Sequence, residues 1–320
     1  MKTRDEFVAE RSERWAELEN LLWGRGALEP GEVTRRVAAL YRALSADVMQ
    51  VRSLGLGADL RLRLDALAAR AHGFLYRAPE RHGSATLLEL LGEFPRAVRR
   101  QWPFVLVAAL LFWLPFVLGL GGALGRPGFA ERVLPAEMLE EMGAAYAQGF
   151  ANGRPQGQDA AMAGFYVYNN VGIAFRCFAT GITFGVGSLF FLVYNGLTIG
   201  TVVGWVITQG HGRNILTFTC SHSPFELTAI VLSGAAGLQI GFSLLDTGGL
   251  SRRSSLLRAG RSAIVLVTGS AAFLLIAALL EAFWSPSSAP DDVKWAAAGL
   301  LTLLVVSYLA LAGRGREPAR

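Results

Sequence analysis

The 320-residue sequence has few cysteines, no familiar catalytic motif and little charge beyond its first third. Its two cysteines, Cys177 and Cys220, lie in or beside apolar stretches, which excludes a disulfide framework and a CxxC metal site. The sequence contains no phosphate-binding P-loop, GxSxG elbow, Rossmann fingerprint or kinase signature, so we expect no cofactor and no familiar ATP-driven or hydrolytic chemistry. The net charge of +5 is small and dispersed, which argues against a nucleic-acid partner.

Apolar residues are abundant and unevenly distributed. They make up 52% of the chain, whereas charged residues make up only 17%. The first 100 residues hold 17 of the 30 Lys and Arg and 14 of the 25 Asp and Glu. This division predicts a soluble segment followed by a membrane segment. The N-terminal stretch 1–15 has no apolar core of a signal peptide, so we expect no cleavage and a cytoplasmic soluble segment.

Residues 1–83 are predicted to form a cytoplasmic helical bundle. Apolar residues recur at spacings of three and four over 5–23, 33–51 and 58–76, which predicts three amphipathic helices. Residues 84–102 predict a basic interfacial helix that ends in Arg96, Arg99 and Arg100, directly before an apolar run. Positive-inside topology explains these arginines, and recognition of specific lipids is the alternative.

The fold class predicted for the whole chain is all-α, a polytopic membrane protein with six transmembrane helices. The membrane domain covers 103–313, and a cytoplasmic tail covers 314–320. The spans are predicted at about 103–124, 165–185, 188–208, 225–245, 263–283 and 293–311, with an external amphipathic segment at 126–162.

Charge in the linkers decides the number of spans. Segment 247–262 has four arginines and no acid, whereas 285–292 has two acids and no base. These compositions predict a cytoplasmic and an external linker, so with both termini inside the count must be even. The long run 163–208 is therefore expected to be a hairpin that turns near Gly185 to Ser188, buried in protein, or a re-entrant pair.

A few polar residues interrupt the apolar stretches, where a charge costs roughly 2.5 to 3.5 kcal/mol on insertion scales. The candidate intramembrane polar site consists of Asn169, Asn170, Arg176, Asn195, Gly196, His222 and Glu226, and Glu281 is a further isolated acid.

His222 and Glu226 are four residues apart across Pro224, at a predicted helix start. One interpretation is structural, with Ser221, His222 or Ser223 capping free amides that also hold Glu226. The alternative is a proton-linked or substrate-linked site. No metal site is expected, because catalytic zinc needs a third protein ligand that this motif does not supply.

Glycines at four-residue intervals predict close helix packing. Gly196, Gly200 and Gly204 form a doubled GxxxG, and Gly181 and Gly185 repeat the spacing. Packing within the chain is one use of such a surface, and a homo-oligomer interface is the other.

The polar and glycine motifs together carry a family resemblance. Tyr168-Asn169-Asn170, the Gly-rich stretch from Gly181 to Gly187, Tyr194-Asn195-Gly196 and His222 through Glu226 resemble, in this order, the stage II sporulation protein M family. Soluble positions such as Trp15, Tyr41, Asp47 and Arg70 fit its N-terminal pattern, so the resemblance covers about residues 7–245. Ser221 and Ser223 depart from it, since the family usually has Pro and Gly there.

The resemblance implies an integral protein of the bacterial cytoplasmic membrane. The founding member of the family is similar in acting as a membrane scaffold with peptidoglycan-degrading partners, and many relatives are encoded beside RDD membrane proteins and MoxR-type ATPases. We therefore expect a non-enzymatic scaffold that contacts the lipid bilayer and envelope proteins. A transporter or channel for a lipid or small solute, using Asn169, Asn195, His222 and Glu226, is the alternative. Intramembrane acid-base chemistry at His222 and Glu226 is a third interpretation.

Overall fold

The computed structural model describes residues 3–23, 30–76, 87–149, 157 and 159–314. These residues are helical or in turns and contain no strand. The chain divides into two compact units, Met1–Ser84 and Ala85–Arg320. The first unit contains α1 (Arg4–Ala9), α2 (Ser12–Leu22), α3 (Pro30–Leu54) and α4 (Ala58–Tyr76).

The first unit packs around one apolar core with a buried acid beside it. The core includes Phe7, Trp15 and Leu64. Asp47 is 5% exposed and accepts hydrogen bonds from Trp15 Nε1 and Arg11 Nε, each at 2.9 Å. The prediction of one continuous helix over 5–23 is wrong, because a turn at Glu10 and Arg11 separates α1 from α2.

The second unit contains ten α-helices among its described residues. They are α5 (Leu87–Arg100), α6 (Trp102–Gly125), α7 (Ala130–Val133), α8 (Ala136–Ala147), α9 (Asp159–Ala179), α10 (Val186–Val206), α11 (Gly212–Thr219), α12 (Ser223–Leu245), α13 (Arg252–Leu279) and α14 (Asp291–Leu311). π-helical turns follow α10 at Ile207–His211 and α13 at Leu280–Trp284.

Five helical stretches in the described residues are long and apolar enough to cross a membrane. They are Trp102–Gly125, Val186–Thr219, Ser223–Leu245, Arg252–Trp284 and Asp291–Leu311. The stretch Val186–Thr219 contains a kink, because Gly210 has a φ of +86°. Helix α9, which covers most of the predicted second span, is not among the five, so the count of six spans stays a prediction.

The run predicted as a hairpin consists of two helices joined by a tight turn. α9 ends at Ala179, a 3₁₀ turn covers Thr180–Ile182, and α10 begins at Val186. The turn thus precedes the position predicted at Gly185 to Ser188, since Ser188 is already helical. Gly185 has a φ of +85°, a conformation that glycine adopts without a steric penalty.

One side of the hairpin turn packs against α12. A Cβ on Gly181 would lie 2.2 Å from the Gly237 carbonyl oxygen, and one on Gly241 would lie 2.1 Å from the Gly185 nitrogen. Thr183 Oγ1 donates to the Thr180 carbonyl at 2.7 Å. The two turn glycines therefore face protein, whereas Ile182, Thr183 and Phe184 are exposed, so the burial predicted for this turn is only partial.

The doubled GxxxG of α10 packs on α6 of the same chain. A Cβ on Gly196 or Gly200 would lie 2.1 Å from the carbonyl oxygen of Phe112 or Phe116, and one on Gly204 would lie 2.8 Å from that of Leu120. We call this contact the α6–α10 seam. It brings the two backbones together at three positions over about two helical turns.

The arginine-rich segment of α5 contributes one structural contact. Arg99 Nη1 and Nη2 donate to the carbonyls of Leu309 and Ala312 at 2.6 and 2.7 Å, at the C-terminal end of α14. A cation at this end satisfies free carbonyls and complements the helix dipole. Within the predicted external segment 126–162, α8 buries Leu139, whereas Phe150 and most of the predicted tail lie outside the described residues.

Candidate polar site in the membrane domain

The start of α12 supplies two polar side chains to the site. Pro224 occupies the first turn of α12, where its missing N–H costs no hydrogen bond, and His222 is the N-cap residue. The His222 carbonyl accepts from the backbone nitrogens of Phe225 at 3.0 Å and Glu226 at 3.1 Å. This turn directs the imidazole and the Glu226 carboxylate to the same side.

The predicted side-chain cap is absent from this helix start. No side chain accepts a hydrogen bond from the first amides of α12 at its N-cap. The Ser223 hydroxyl donates instead to the Thr219 carbonyl at 2.8 Å, and His222 is bonded elsewhere. The interpretation of His222 and Ser223 as simple capping residues is therefore wrong.

The π-helical turn after α13 supplies the next part of the site. It is closed by a bond from the Ser285 nitrogen to the Leu280 carbonyl at 2.8 Å, an i to i+5 pattern. The Ser285 hydroxyl lies 3.0 Å from His222 Nδ1. Glu281 lies on the same turn, and its carboxylate lies near the side chains of His222 and Glu226 at the start of α12.

His222, Glu226 and Glu281 form one cluster, which we call the His-Glu-Glu cluster. One side-chain nitrogen or oxygen from each residue lies within 4.8 Å of the others. His222 Nε2 lies 3.7 Å from Glu226 Oε2. The His222 side chain is 4% exposed and that of Glu226 is 16% exposed, so the cluster is shielded and yet reachable through Glu226.

Asn170 and Tyr146 border the cluster. Asn170, which is buried, donates from Nδ2 to Glu281 Oε2 at 3.2 Å, and Asn169, which is exposed, donates to Asn170 Oδ1 at 3.0 Å. Burial is the main cause of a raised pKa of the Tyr146 hydroxyl, and the nearby carboxylates of Glu281 and Glu226 raise it further. Tyr146 on α8 is therefore close enough to the cluster for the carboxylate charges to affect its pKa.

Three predicted site residues lie elsewhere. Asn195 is buried and donates to the Phe191 carbonyl at 2.6 Å within its own helix, with Cys177 Sγ at 4.0 Å. Gly196 belongs to the α6–α10 seam. Arg176 is exposed on α9. The predicted set thus separates into a cluster and single positions.

Lys294 is a residue that the sequence reasoning missed. It is 3% exposed, and its Nζ donates to the carbonyls of Ser285 and Ser287 at 2.8 Å each. Next to it, Ser221 Oγ accepts from Trp284 Nε1 at 3.0 Å. A lysine at the edge of the apolar run 293–311 was the available signal. Its contacts hold the turn that carries Ser285.

The arrangement suits proton or cation binding better than covalent chemistry. Imidazole and carboxylate groups bind protons and divalent cations. Ser285 is hydrogen-bonded to His222 but is 0% exposed, so it can orient the imidazole and cannot meet a substrate. A separate groove of about 580 Å³, lined by residues such as Phe178, Ile240 and Ile264, is apolar and contains none of the cluster residues.

Known proteins resemble both parts of the chain. A family model described as stage II sporulation protein M matches residues 104–286, more than half of the chain. A domain of unknown function (DUF8413) matches residues 5–77. An uncharacterized protein of Methanocaldococcus jannaschii is 29% identical over 77 residues, which are 24% of this chain and 43% of that relative. The chain therefore matches less than half the length of this relative. No solved structure matches this chain.

Proposed function

Because this chain belongs to the stage II sporulation protein M family, we propose that it is a non-enzymatic membrane scaffold that recruits partners for membrane or peptidoglycan remodelling. In this proposal it resides in the bacterial cytoplasmic membrane with six spans and both termini in the cytoplasm. The first unit then faces cytoplasmic partners, and α7 and α8 lie at the external surface.

The close packing of the membrane helices carries the proposal. Backbone meets backbone where Gly196 and Gly200 of α10 contact α6, and where Gly181 of the hairpin turn and Gly241 of α12 bring those two elements together. Such contacts have only small side chains or none between them, so relative movement of the helices loses many contacts at once. A scaffold needs this rigidity, whereas alternating access requires one group of helices to move against another.

The first unit offers a surface for recruitment. Its described exposed apolar side chains include Trp23, Met49, Leu62 and Phe74, with Met49 at 65% and Leu62 at 64% exposure. We propose that some of these side chains contribute to one docking surface, because contiguous exposed apolar patches favour binding to another protein. A MoxR-type ATPase is the partner class that fits a cytoplasmic surface. A peptidoglycan-remodelling enzyme fits the external side.

Site-specific photo-crosslinking in the native membrane tests the recruitment. A photoreactive amino acid at Met49 or Leu62 is expected to give discrete adducts that mass spectrometry identifies as one of these two partner classes. The same label at the exposed Glu13 serves as the matched control and is expected to give none. Adducts that are absent at both apolar positions, or equal at all three positions, would contradict the proposed surface.

A transporter for a small solute or lipid is the second candidate, because Asn170, His222, Glu226 and Glu281 converge at one place. Reconstitution in liposomes separates it from the scaffold. The scaffold predicts that candidate solutes and labelled lipids move no faster than in protein-free liposomes. Movement that Glu226→Gln or His222→Ala abolishes would refute the scaffold and establish the transporter.

A further inference from the structure

We propose that the His-Glu-Glu cluster binds one divalent transition-metal ion, Zn²⁺ in the first instance, through His222 Nε2 and one carboxylate oxygen each of Glu226 and Glu281. This site goes beyond the scaffold function and does not depend on it. The third ligand, which the spacing of His222 and Glu226 alone does not provide, comes from a different helix.

The separations of the ligand atoms fit a metal centre. At zinc bond lengths of about 2.0–2.2 Å, two ligand atoms of a tetrahedral site lie roughly 3.4 Å apart. His222 Nε2 and Glu226 Oε2 are already 3.7 Å apart, and the whole set lies within 4.8 Å. The widest separation therefore exceeds the tetrahedral value by at most about 1.4 Å, a difference that side-chain rotation can supply.

The neighbouring hydrogen bonds orient two of the ligands. The Nδ1 atom of His222 faces the Ser285 hydroxyl at 3.0 Å, which leaves Nε2 on the side of the Glu226 carboxylate. Metal-bound histidines ordinarily donate their other ring N–H to such a partner. The Asn170 amide donates to one oxygen of Glu281 and thereby fixes that carboxylate. Ser285 and Asn170 are therefore positioning residues.

The type of ligand decides the class of ion. Ca²⁺ and Mg²⁺ prefer sites made of oxygen ligands and waters, so an imidazole in a set of three disfavours them. One imidazole and two carboxylates suit Zn²⁺ and related transition-metal ions. A dication also offsets the mutual repulsion of two carboxylates held within 4.8 Å of each other in a poorly solvated region.

The bound ion would join elements that are far apart in sequence. Glu226 lies in the first turn of α12, and Glu281 lies in the π-helical turn after α13. Three protein ligands leave a fourth position for water or an external group. The Glu226 side chain is 16% exposed, so protein does not enclose the site completely.

Metal stoichiometry of the purified full-length protein tests the site. The protein, without a histidine tag, is treated with EDTA, exchanged into buffer, loaded with Zn²⁺ and passed through gel filtration before elemental analysis. We expect one Zn²⁺ per chain. We expect Glu226→Gln and Glu281→Gln to weaken binding at least tenfold, and Ser285→Ala to weaken it roughly 10- to 100-fold.

Two controls keep the test decisive. Glu131→Gln changes an exposed acid on α7 and is expected to retain wild-type stoichiometry and affinity. Co²⁺ loading gives a visible spectrum that reports the ligand geometry, and Glu281→Asp, which keeps the charge, is expected to change that spectrum. Wild-type protein that retains no Zn²⁺, or binding that is unaffected by Glu281→Gln, would overturn the proposal whatever the scaffold experiments show.

Discussion

Replacement of one glycine in the α6–α10 seam is expected to destabilise the membrane unit measurably. In Gly200→Ala, the new Cβ would lie 2.1 Å from the Phe116 carbonyl oxygen and 2.8 Å from its carbon. Ordinary contact of these atoms needs more than 3 Å, so α6 and α10 must separate by about 1 Å. A gap of 0.5–1 Å already forfeits a quarter to a half of each dispersion contact.

The expected cost is about 1–3 kcal/mol, the usual range for overpacking, and the better helix propensity of alanine offsets at most about 1 kcal/mol of it. For a unit of this size, each kcal/mol corresponds to roughly 2–4 °C in melting temperature. Gly121→Ala on α6 is the matched control, because no atom lies within 4 Å of the position its Cβ would take. We expect that control to melt at the wild-type temperature or slightly above.

Thermal unfolding in detergent, followed by the loss of the monodisperse gel-filtration peak, measures both variants. Close packing of α10 on α6 requires Gly200→Ala to melt several degrees below Gly121→Ala. Equal melting temperatures would refute it, because they would mean that α10 does not pack directly on the α6 backbone. Such a result would also remove the rigidity on which the scaffold proposal depends.

Three further predictions concern buried and exposed charges. Asp47→Ala removes a buried acceptor of two hydrogen bonds and is expected to destabilise the first unit by about 3–5 kcal/mol, measured by denaturant-dependent proteolysis of the full chain. The hydrogen-bonded Arg36 guanidinium lowers the pKa of Glu17 from its ordinary value of 4.5. The ion pair therefore stabilises the folded state at pH values above 4.5, and this stabilisation is lost as the pH falls from there through the lowered pKa. Because the pair is exposed, Arg36→Met should change acid sensitivity only slightly in the same proteolysis assay. Arg99→Gln removes donors to the end of α14 and is expected to cost about 1–2 kcal/mol in thermal unfolding, and an unchanged melting temperature would contradict the bond to the Ala312 carbonyl.

Several features of the fold followed from local sequence patterns. The family resemblance is confirmed by the match over 104–286, and the chain is helical with several membrane-length apolar helices as predicted. The start of α12 was predictable because Pro224 acts on its immediate neighbours. The break between α1 and α2 was not, because Arg11 bonds to Asp47 on α3, a contact that periodicity along the chain does not encode.

The sequence by itself determined which segments avoid water, that a helix begins near Pro224, and that His222 and Glu226 share one helical turn. Those properties depend on residues within a few positions of each other, so spacing and composition reveal them. Only the tertiary structure decided that Glu281 joins this pair while Asn195 does not, and that α6 receives the glycines of α10. These choices depend on how distant helices approach, and that approach is set by the packing of many side chains at once.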